Sequence, residues 1–211
     1  MEKIPLKKVI NTKNKWVVVI IMTGIFSTFY GVCGAIGYQS GMVLPFLSIE
    51  QGIPLIPWTV LIYIILYPTY LIASMHSYRD EEQMNKLLYA FCLLTLISCA
   101  IFLFFPINYP RYLYPLPLDN QPLTLLLRAV RFIDKPSNCL PSLHVSLCFT
   151  FAFAFWHQSK KQFWLAILIS TLIAISTLTT KQHYVYDVIS GFMLSLSLWF
   201  GFDRFTRISD N

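Results

Sequence analysis

Charged residues are scarce in this chain. Only 12% of its 211 residues are Asp, Glu, Lys or Arg, whereas 56% are hydrophobic, and the mean hydropathy is +0.59. Soluble globular domains carry about 25% charged residues. The composition therefore excludes an ordinary soluble domain and indicates a chain that lies in a bilayer.

Paired cysteines and nucleic-acid-binding motifs are also lacking. The five cysteines are odd in number and scattered, with no Cys-x-x-Cys spacing, so we interpret them as buried free thiols. The net charge of +6 is not accompanied by a basic motif interleaved with aromatic residues, so no nucleic acid is expected as a partner. Internal repeats and a second soluble domain are lacking too, and we expect residues 1–211 to form a single membrane-embedded domain.

Six apolar segments are candidates for membrane spans, which need about 20 residues each. The first follows a basic stretch, but it is too long for a signal peptide and lacks a cleavage site, so we interpret it as a retained span. The fourth is short. The sequence thus predicts an all-α fold, an integral membrane six-helix bundle with these spans: Trp16–Ile36, Pro54–Ser74, Leu87–Phe105, Leu143–Trp156, Phe163–Leu178 and Tyr184–Phe202.

Lysine and arginine are divided unevenly between the two sides of this bundle. The positive-inside rule predicts cytoplasmic N- and C-termini, because most basic residues then lie in the cytoplasm. The proline-rich loop of residues 106–141, which includes an apolar stretch suited to an interfacial helix, is then extracytoplasmic. The basic residues on the cytoplasmic side are Lys3, Lys7, Lys8, Lys13, Lys15, Arg79, Lys86, Lys160, Lys161, Arg204 and Arg207.

The stretch HYVYD places His183 and Asp187 four residues apart at the start of the sixth span. Residues at this spacing are neighbours on one face of a helix. A carboxylate beside one imidazole nitrogen fixes the tautomer and leaves the other nitrogen free to attack an electrophile. The spacing predicts a histidine nucleophile with its orienting partner. His76 and His157, at the cytoplasmic ends of their spans, are interpreted as structural residues.

The stretch PSLH places His144 in the first turn of the fourth span, on the extracytoplasmic side. Ser142 is suited to cap this helix, and the free N–H groups of a helix N-terminus bind phosphate oxygens. We therefore expect Ser142 to bind an oxyanion and His144 to protonate a leaving oxygen. Two histidines and an aspartate would also suit a metal ion. The serine and the basic surroundings favour an anion, so we expect no metal and no cofactor.

Phosphoryl transfer needs positive charge around the phosphate oxygens in addition to correct positioning. The candidate donors of that charge are Arg111 and Lys181, with Arg128, Arg131 and Lys135 of the long loop as alternatives. Arg128 and Arg131 would equally suit contact with lipid headgroups. Arginine suits the phosphate best, because its planar guanidinium matches the geometry of the oxygens.

These motifs resemble those of the type 2 phosphatidic acid phosphatase superfamily, whose members are six-helix membrane enzymes. PSLH is similar to the family's second motif, Pro-Ser-Gly-His, and HYVYD to its third, which ends His-x-x-x-Asp. The Pro-Ser-Leu-His variant resembles the inositol-phosphorylceramide-synthase-like branch. The resemblance implies a phosphohistidine on His183, Asp187 as its partner, His144 as the acid for the leaving group, Ser142 as a phosphate ligand, and no metal.

Three features depart from the family's pattern. Leu143 replaces the glycine of the second motif. Thr177 stands where the third motif has arginine, and Lys181 is the candidate substitute. The first motif is represented best by Arg111, which we prefer to the alternative match in RAVRFIDKP because that stretch lies closer to PSLH than the family's arrangement allows.

The sequence therefore predicts a membrane lipid phosphatase. It would hydrolyse a phosphomonoester or diphosphate of a phospholipid or prenyl phosphate at the outer face of the membrane, by default the bacterial inner membrane. Membrane lipids would surround it, and no protein partner is indicated. One alternative is a phosphotransferase that moves a phospho-headgroup to an alcohol, since both enzymes share the first half-reaction. Another is a non-catalytic transporter on the same fold.

Overall fold

The computed structural model describes residues 3–78 and 80–209, so Arg79, which the orientation argument counted, lies outside them. Within these residues nearly all of the regular secondary structure is helical. A 3-10 turn (Pro57–Thr59) and a π-helical segment (Ile62–Leu66) lead directly into α3. The α-helices are α1 (Lys15–Ser40), α2 (Ser48–Gln51), α3 (Tyr67–Ser77), α4 (Glu81–Phe104), α5 (Pro122–Ile133), α6 (Leu143–Ala154), α7 (Lys160–Thr179) and α8 (Val185–Phe205).

Among the described residues, five helical segments are long and apolar enough to cross a membrane. Each overlaps one of the predicted spans, so the predicted all-α membrane bundle is confirmed. α5 forms over the apolar stretch that was predicted to be helical in the long loop. The five segments are Lys15–Ser40, Pro57–Ser77, Glu81–Phe104, Lys160–Thr179 and Val185–Phe205.

The predicted fourth span, Leu143–Trp156, is shorter in the structure. α6 ends at Ala154 and rises only about 18 Å, less than the hydrocarbon core of a bilayer, about 30 Å. Its side chains are buried on nearly every face, and α3, α4, α7 and α8 all pack against it. α6 is therefore the central helix of the bundle, and protein rather than lipid surrounds it.

The residue just before the helix caps the starts of α4, α6 and α7 with its side chain. Asp80, Ser142 and Ser159 precede α4, α6 and α7, and each accepts a hydrogen bond from a backbone N–H in the first turn. Such caps satisfy donors that the helix itself leaves without a partner. The cap predicted at Ser142 is thereby confirmed.

The two chain ends meet at one end of the bundle. β1 (Ile4–Lys7) pairs in parallel with β2 (Thr206–Ser209). Nearby, the carboxylate of Asp203 lies 3.2 Å from Nζ of Lys86 and 2.8 Å from Nε2 of His157. α6 and α8 both begin at the opposite end, so the PSLH and HYVYD motifs lie away from the termini. The side of the membrane on which each end lies stays a prediction.

The starts of α6 and α8 approach each other closely at Gly191. A Cβ atom on this residue would lie 2.6 Å from the carbonyl oxygen of Ser142 and 3.0 Å from Oγ of Ser146. The backbone N–H of Ser142 also donates to the carbonyl of Asp187, at 3.0 Å. The first turns of the two helices are thus joined backbone to backbone, which only a residue without a side chain permits here.

We expect Gly191→Ala to lower the free energy of unfolding by about 1–3 kcal/mol, because the added methyl group must force α6 and α8 apart. Gly201→Ala, later in α8, is the matched control, since nothing lies within 4 Å of its added Cβ. In that variant the free energy of unfolding should stay the same or rise by up to about 1 kcal/mol, because alanine has a higher helix propensity than glycine. Unfolding in detergent measures both, and equal effects would contradict the close approach.

Candidate active site

His183 and Asp187 form the buried pair that their spacing predicts. Nδ1 of His183 lies 3.1 Å from Oδ2 of Asp187, and the same oxygen accepts from the backbone N–H of Tyr184 at 2.8 Å. The expectation that both residues lie on one helix face is wrong, because α8 begins at Val185. Asp187 instead caps the helix and reaches the imidazole that immediately precedes it.

This contact defines the chemistry available to His183. Since Asp187 accepts the hydrogen bond, Nδ1 carries the proton and Nε2 keeps its lone pair. Oδ1 of Asp187 is buried and has no hydrogen-bond partner among the described residues. A buried carboxylate in this position stabilises positive charge that develops on the ring, which suits an imidazole acting as a nucleophile.

His144 lies beside this pair in the first turn of α6. The ring centroids of His144 and His183 are 5.8 Å apart, with the planes at 62°. Ser142 is fully buried, and its Oγ accepts from the N–H of Val145 at 3.5 Å. The hydroxyl proton of Ser142 is therefore available to a ligand oxygen. The structure thus brings the PSLH and HYVYD motifs together at one end of the bundle.

Two arginines of the long loop approach the turn between α7 and α8. Arg111 donates to the side-chain oxygen of Gln182 and, at 3.4 Å, to the carbonyl of Arg131. Arg131 in turn donates to the carbonyl oxygens of Tyr114, at 2.8 Å, and Thr180, at 3.2 Å. The two guanidinium groups are therefore held together, next to the turn that carries His183.

The electrostatics of this arginine pair favour an anion. Burial, together with the charge of Arg111, lowers the pKa of Arg131 to about 10. The Nε atoms of both residues are buried and have no hydrogen-bond partner among the described residues. Asp134 lies 4.0 Å from the guanidinium of Arg111 and offsets part of this charge. The two like charges still have unused donors that a bound anion would accept, and guanidinium groups match phosphate in both geometry and charge.

The side chain of Lys181 contacts groups other than those that the arginine pair contacts. Its Nζ donates to the carbonyl of Ile53 at 2.6 Å and lies 4.3 Å from the ring centroid of Tyr114. Burial lowers the pKa of Lys181. The backbone carbonyl of Thr177, where the family has arginine, accepts from the N–H groups of the turn that leads to His183. In addition to Lys181, this turn has the positive charges of Arg111 and Arg131 beside it, which come from the long loop.

The buried donors Cys139, His183 and Asp187 have ligand atoms within 4.8 Å of one another, which is close enough for a metal ion. Burial raises the pKa of Cys139, and its thiol donates to the carbonyl of Pro136 at 3.5 Å. Metals bind the thiolate rather than the thiol. The chemistry of this cluster therefore fits a metal poorly.

Three further residues near the site were missed by the sequence predictions. Glu50 is buried and accepts from the N–H of Val185 at 2.9 Å, so it caps α8 from outside the helix. Tyr63 and Asp134 contact each other and lie beside His144. The chain has only ten acidic residues, and that scarcity was the one signal that could have drawn attention to Glu50 and Asp134.

We expect inorganic phosphate to bind the arginine pair and to raise the unfolding temperature of the protein. Arg111→Ala and Arg131→Ala should each weaken binding about 10- to 100-fold, the equivalent of one or two charge-assisted hydrogen bonds. Arg128→Ala is the matched control, because Arg128 is exposed and donates to the carbonyl of Pro117. A phosphate-dependent shift that is the same in all three variants would contradict this site.

Comparison with models of known protein families identifies the family of the chain. Residues 47–200 match the family model of the PAP2 superfamily. That stretch runs from just before α2 into α8 and contains the residues of the site, namely Arg111, Arg131, Ser142, His144, His183 and Asp187. The match reaches the superfamily and does not extend to the inositol-phosphorylceramide-synthase-like branch. No curated protein and no solved structure matches the chain.

Proposed function

The chain belongs to the PAP2 superfamily, and on that premise we propose that it is a metal-independent membrane phosphatase acting on a lipid phosphomonoester or diphosphate. The superfamily match supports phosphatase-type activity on phosphate esters. The observation that carries the proposal is the pair of imidazoles whose ring centroids are 5.8 Å apart, one of which is hydrogen-bonded to a buried carboxylate. Such a pair provides a nucleophile and a proton donor at one phosphate.

In the first half-reaction, Nε2 of His183 attacks phosphorus and the bond to the leaving oxygen breaks. His144 gives its proton to that oxygen, so that an alcohol or a phosphate departs. Asp187 stabilises the positive ring as the phosphohistidine forms. His144 is then the neutral base that the second half-reaction requires.

In the second half-reaction, water attacks the phosphohistidine and the P–N bond breaks. His144 takes the proton from the water, and inorganic phosphate leaves with both histidines returned to their initial states. Arg111 and Arg131 hold the equatorial oxygens in both steps, together with the hydroxyl of Ser142. In this proposal Arg131, rather than Lys181, replaces the missing arginine of the third motif.

The placement of the site in a membrane bundle supports a lipid substrate. The histidines lie at one end of apolar helices, where a phosphate headgroup and its hydrocarbon tail would be in reach together. The uneven distribution of lysine and arginine supports an outer-face site in a multi-pass protein. The bacterial inner membrane is the default location in this proposal. The substrate would be a phospholipid or a prenyl phosphate.

Transfer to an alcohol is a second candidate function. A cavity of about 410 Å³ lies between α1 and residues 133–138 and is lined by Asp134 and Asn138. Pockets for small molecules are about 300–1,000 Å³, so this cavity has room for an acceptor headgroup. An alcohol that reached His183 from this cavity would take the place of water in the second half-reaction.

The test is phosphate release by the purified protein in detergent from phosphatidic acid, phosphatidylglycerophosphate and a prenyl diphosphate. We expect at least one substrate to be hydrolysed, and His183→Ala to lower the rate by a factor of about 10³ or more, because covalent catalysis is lost. His157→Ala is the matched control, since His157 bonds to Asp203 at the opposite end of the bundle. It should keep wild-type activity.

The same preparation separates the alternatives. A labelled phosphoenzyme without phosphate release, together with transfer of the label to an added alcohol, would support the phosphotransferase. A wild-type protein that neither releases phosphate nor forms a phosphoenzyme would contradict both enzymes and leave the transporter. Full activity of His183→Ala would contradict the assignment of the nucleophile.

A further inference from the structure

Asp134 lies in a fixed position beside the site, although it belongs to neither the PSLH nor the HYVYD motif. Its Oδ1 accepts from the hydroxyl of Tyr30 at 3.3 Å, and its Oδ2 accepts from the hydroxyl of Tyr63 at 2.7 Å. Arg111 donates to the backbone carbonyl of Asp134, and its guanidinium lies 4.0 Å from the carboxylate. The carboxylate is therefore held on three sides by groups from three separate parts of the chain.

Tyr63 connects this carboxylate to His144. Its hydroxyl oxygen lies 3.5 Å from Nδ1 of His144, and the two ring centroids are 4.6 Å apart. Because the hydroxyl proton is directed to Asp134, the lone pair of the oxygen is available to accept from Nδ1. Tyr63 also falls in the π-helical segment Ile62–Leu66, an irregularity that occurs frequently at functional sites.

We propose that Tyr63 and Asp134 are positioning residues for His144, and this inference rests on the function proposed above. They hold the proton on Nδ1, so that Nε2 is the nitrogen that gives a proton to the leaving oxygen and takes one from water. The negative charge of Asp134 stabilises the imidazolium through the intervening hydroxyl. Among the described residues, Asp134, His183 and Arg111 act on His144 through their charges, and Asp134 is the acidic one of these three.

His183 and His144 therefore lie at different distances from their carboxylates. His183 contacts Asp187 directly, which suits a ring that becomes positive when it binds phosphorus. His144 reaches Asp134 through one hydroxyl, and the weaker coupling suits a ring that must release its proton in each cycle. The nucleophile and the acid therefore differ in how closely each imidazole is coupled to its carboxylate.

The test compares Tyr63→Phe with Tyr30→Phe. Each variant removes one hydroxyl from the same carboxylate, but only Tyr63 contacts His144. We expect Tyr63→Phe to lower kcat about 10- to 100-fold on the lipid phosphate that the wild type hydrolyses, a part of the roughly 10²–10⁴-fold contribution of general acid–base catalysis. KM should not change, Tyr30→Phe should lose less than about threefold, and Asp134→Asn should follow Tyr63→Phe.

A second substrate separates positioning from a structural role. Para-nitrophenyl phosphate has a leaving group that needs little protonation, so the loss in Tyr63→Phe should be several-fold smaller on it than on the lipid. In a His144→Ala background, Tyr63→Phe should cause no further loss, because both changes act on one group. Unfolding temperatures of all variants in detergent check that each is folded.

Equal losses on both substrates, equal losses in Tyr30→Phe, or a further loss in the His144→Ala background would each overturn the positioning role while leaving the phosphatase intact. An inactive wild-type protein would overturn the proposed function, and this inference with it. The wild-type rate therefore reports on the reaction, and the ratio between variants reports on Tyr63 and Asp134.

Discussion

The rest of the site depends on the backbone contact between the first turns of α6 and α8. The N–H of Ser142 donates to the carbonyl of Asp187, and Gly191 provides the space for this approach. His144 follows Ser142 by two residues and His183 precedes Asp187 by four, so a single contact fixes the distance between the two imidazoles. A side chain at position 191 would force the two helices apart and would change the distance between the nucleophile His183 and the acid His144.

Charge is then added to this scaffold from the long loop. Buried charges are costly unless other groups offset them, and both arginines of the site have such neighbours. Arg111 lies against Asp134, and Arg131 is held by backbone carbonyls. The loop thus supplies both the cations for a phosphate and the carboxylate behind His144, while α8 supplies the carboxylate behind His183.

Much of the fold was predictable because long apolar runs give a strong and local signal. α1, α4, α7 and α8 all follow such runs, and each overlaps its predicted span. The end of α6 and the π-helical segment were not predictable, since both depend on neighbouring helices. α6 is short because protein surrounds it, so it does not have to match the thickness of lipid.

The sequence alone determined the pairing of His183 with Asp187 and the cap at Ser142, because these contacts join residues within four positions of each other. It also placed both motifs at helix starts. Only the tertiary structure decided which basic and which acidic side chains lie beside these motifs. Tyr63 and Asp134 are 71 residues apart, and Tyr63 and His144 are 81 apart. Contacts over such distances carry no local pattern, because they form only when the packing of α6 against its neighbours brings the loop and the helices to one place.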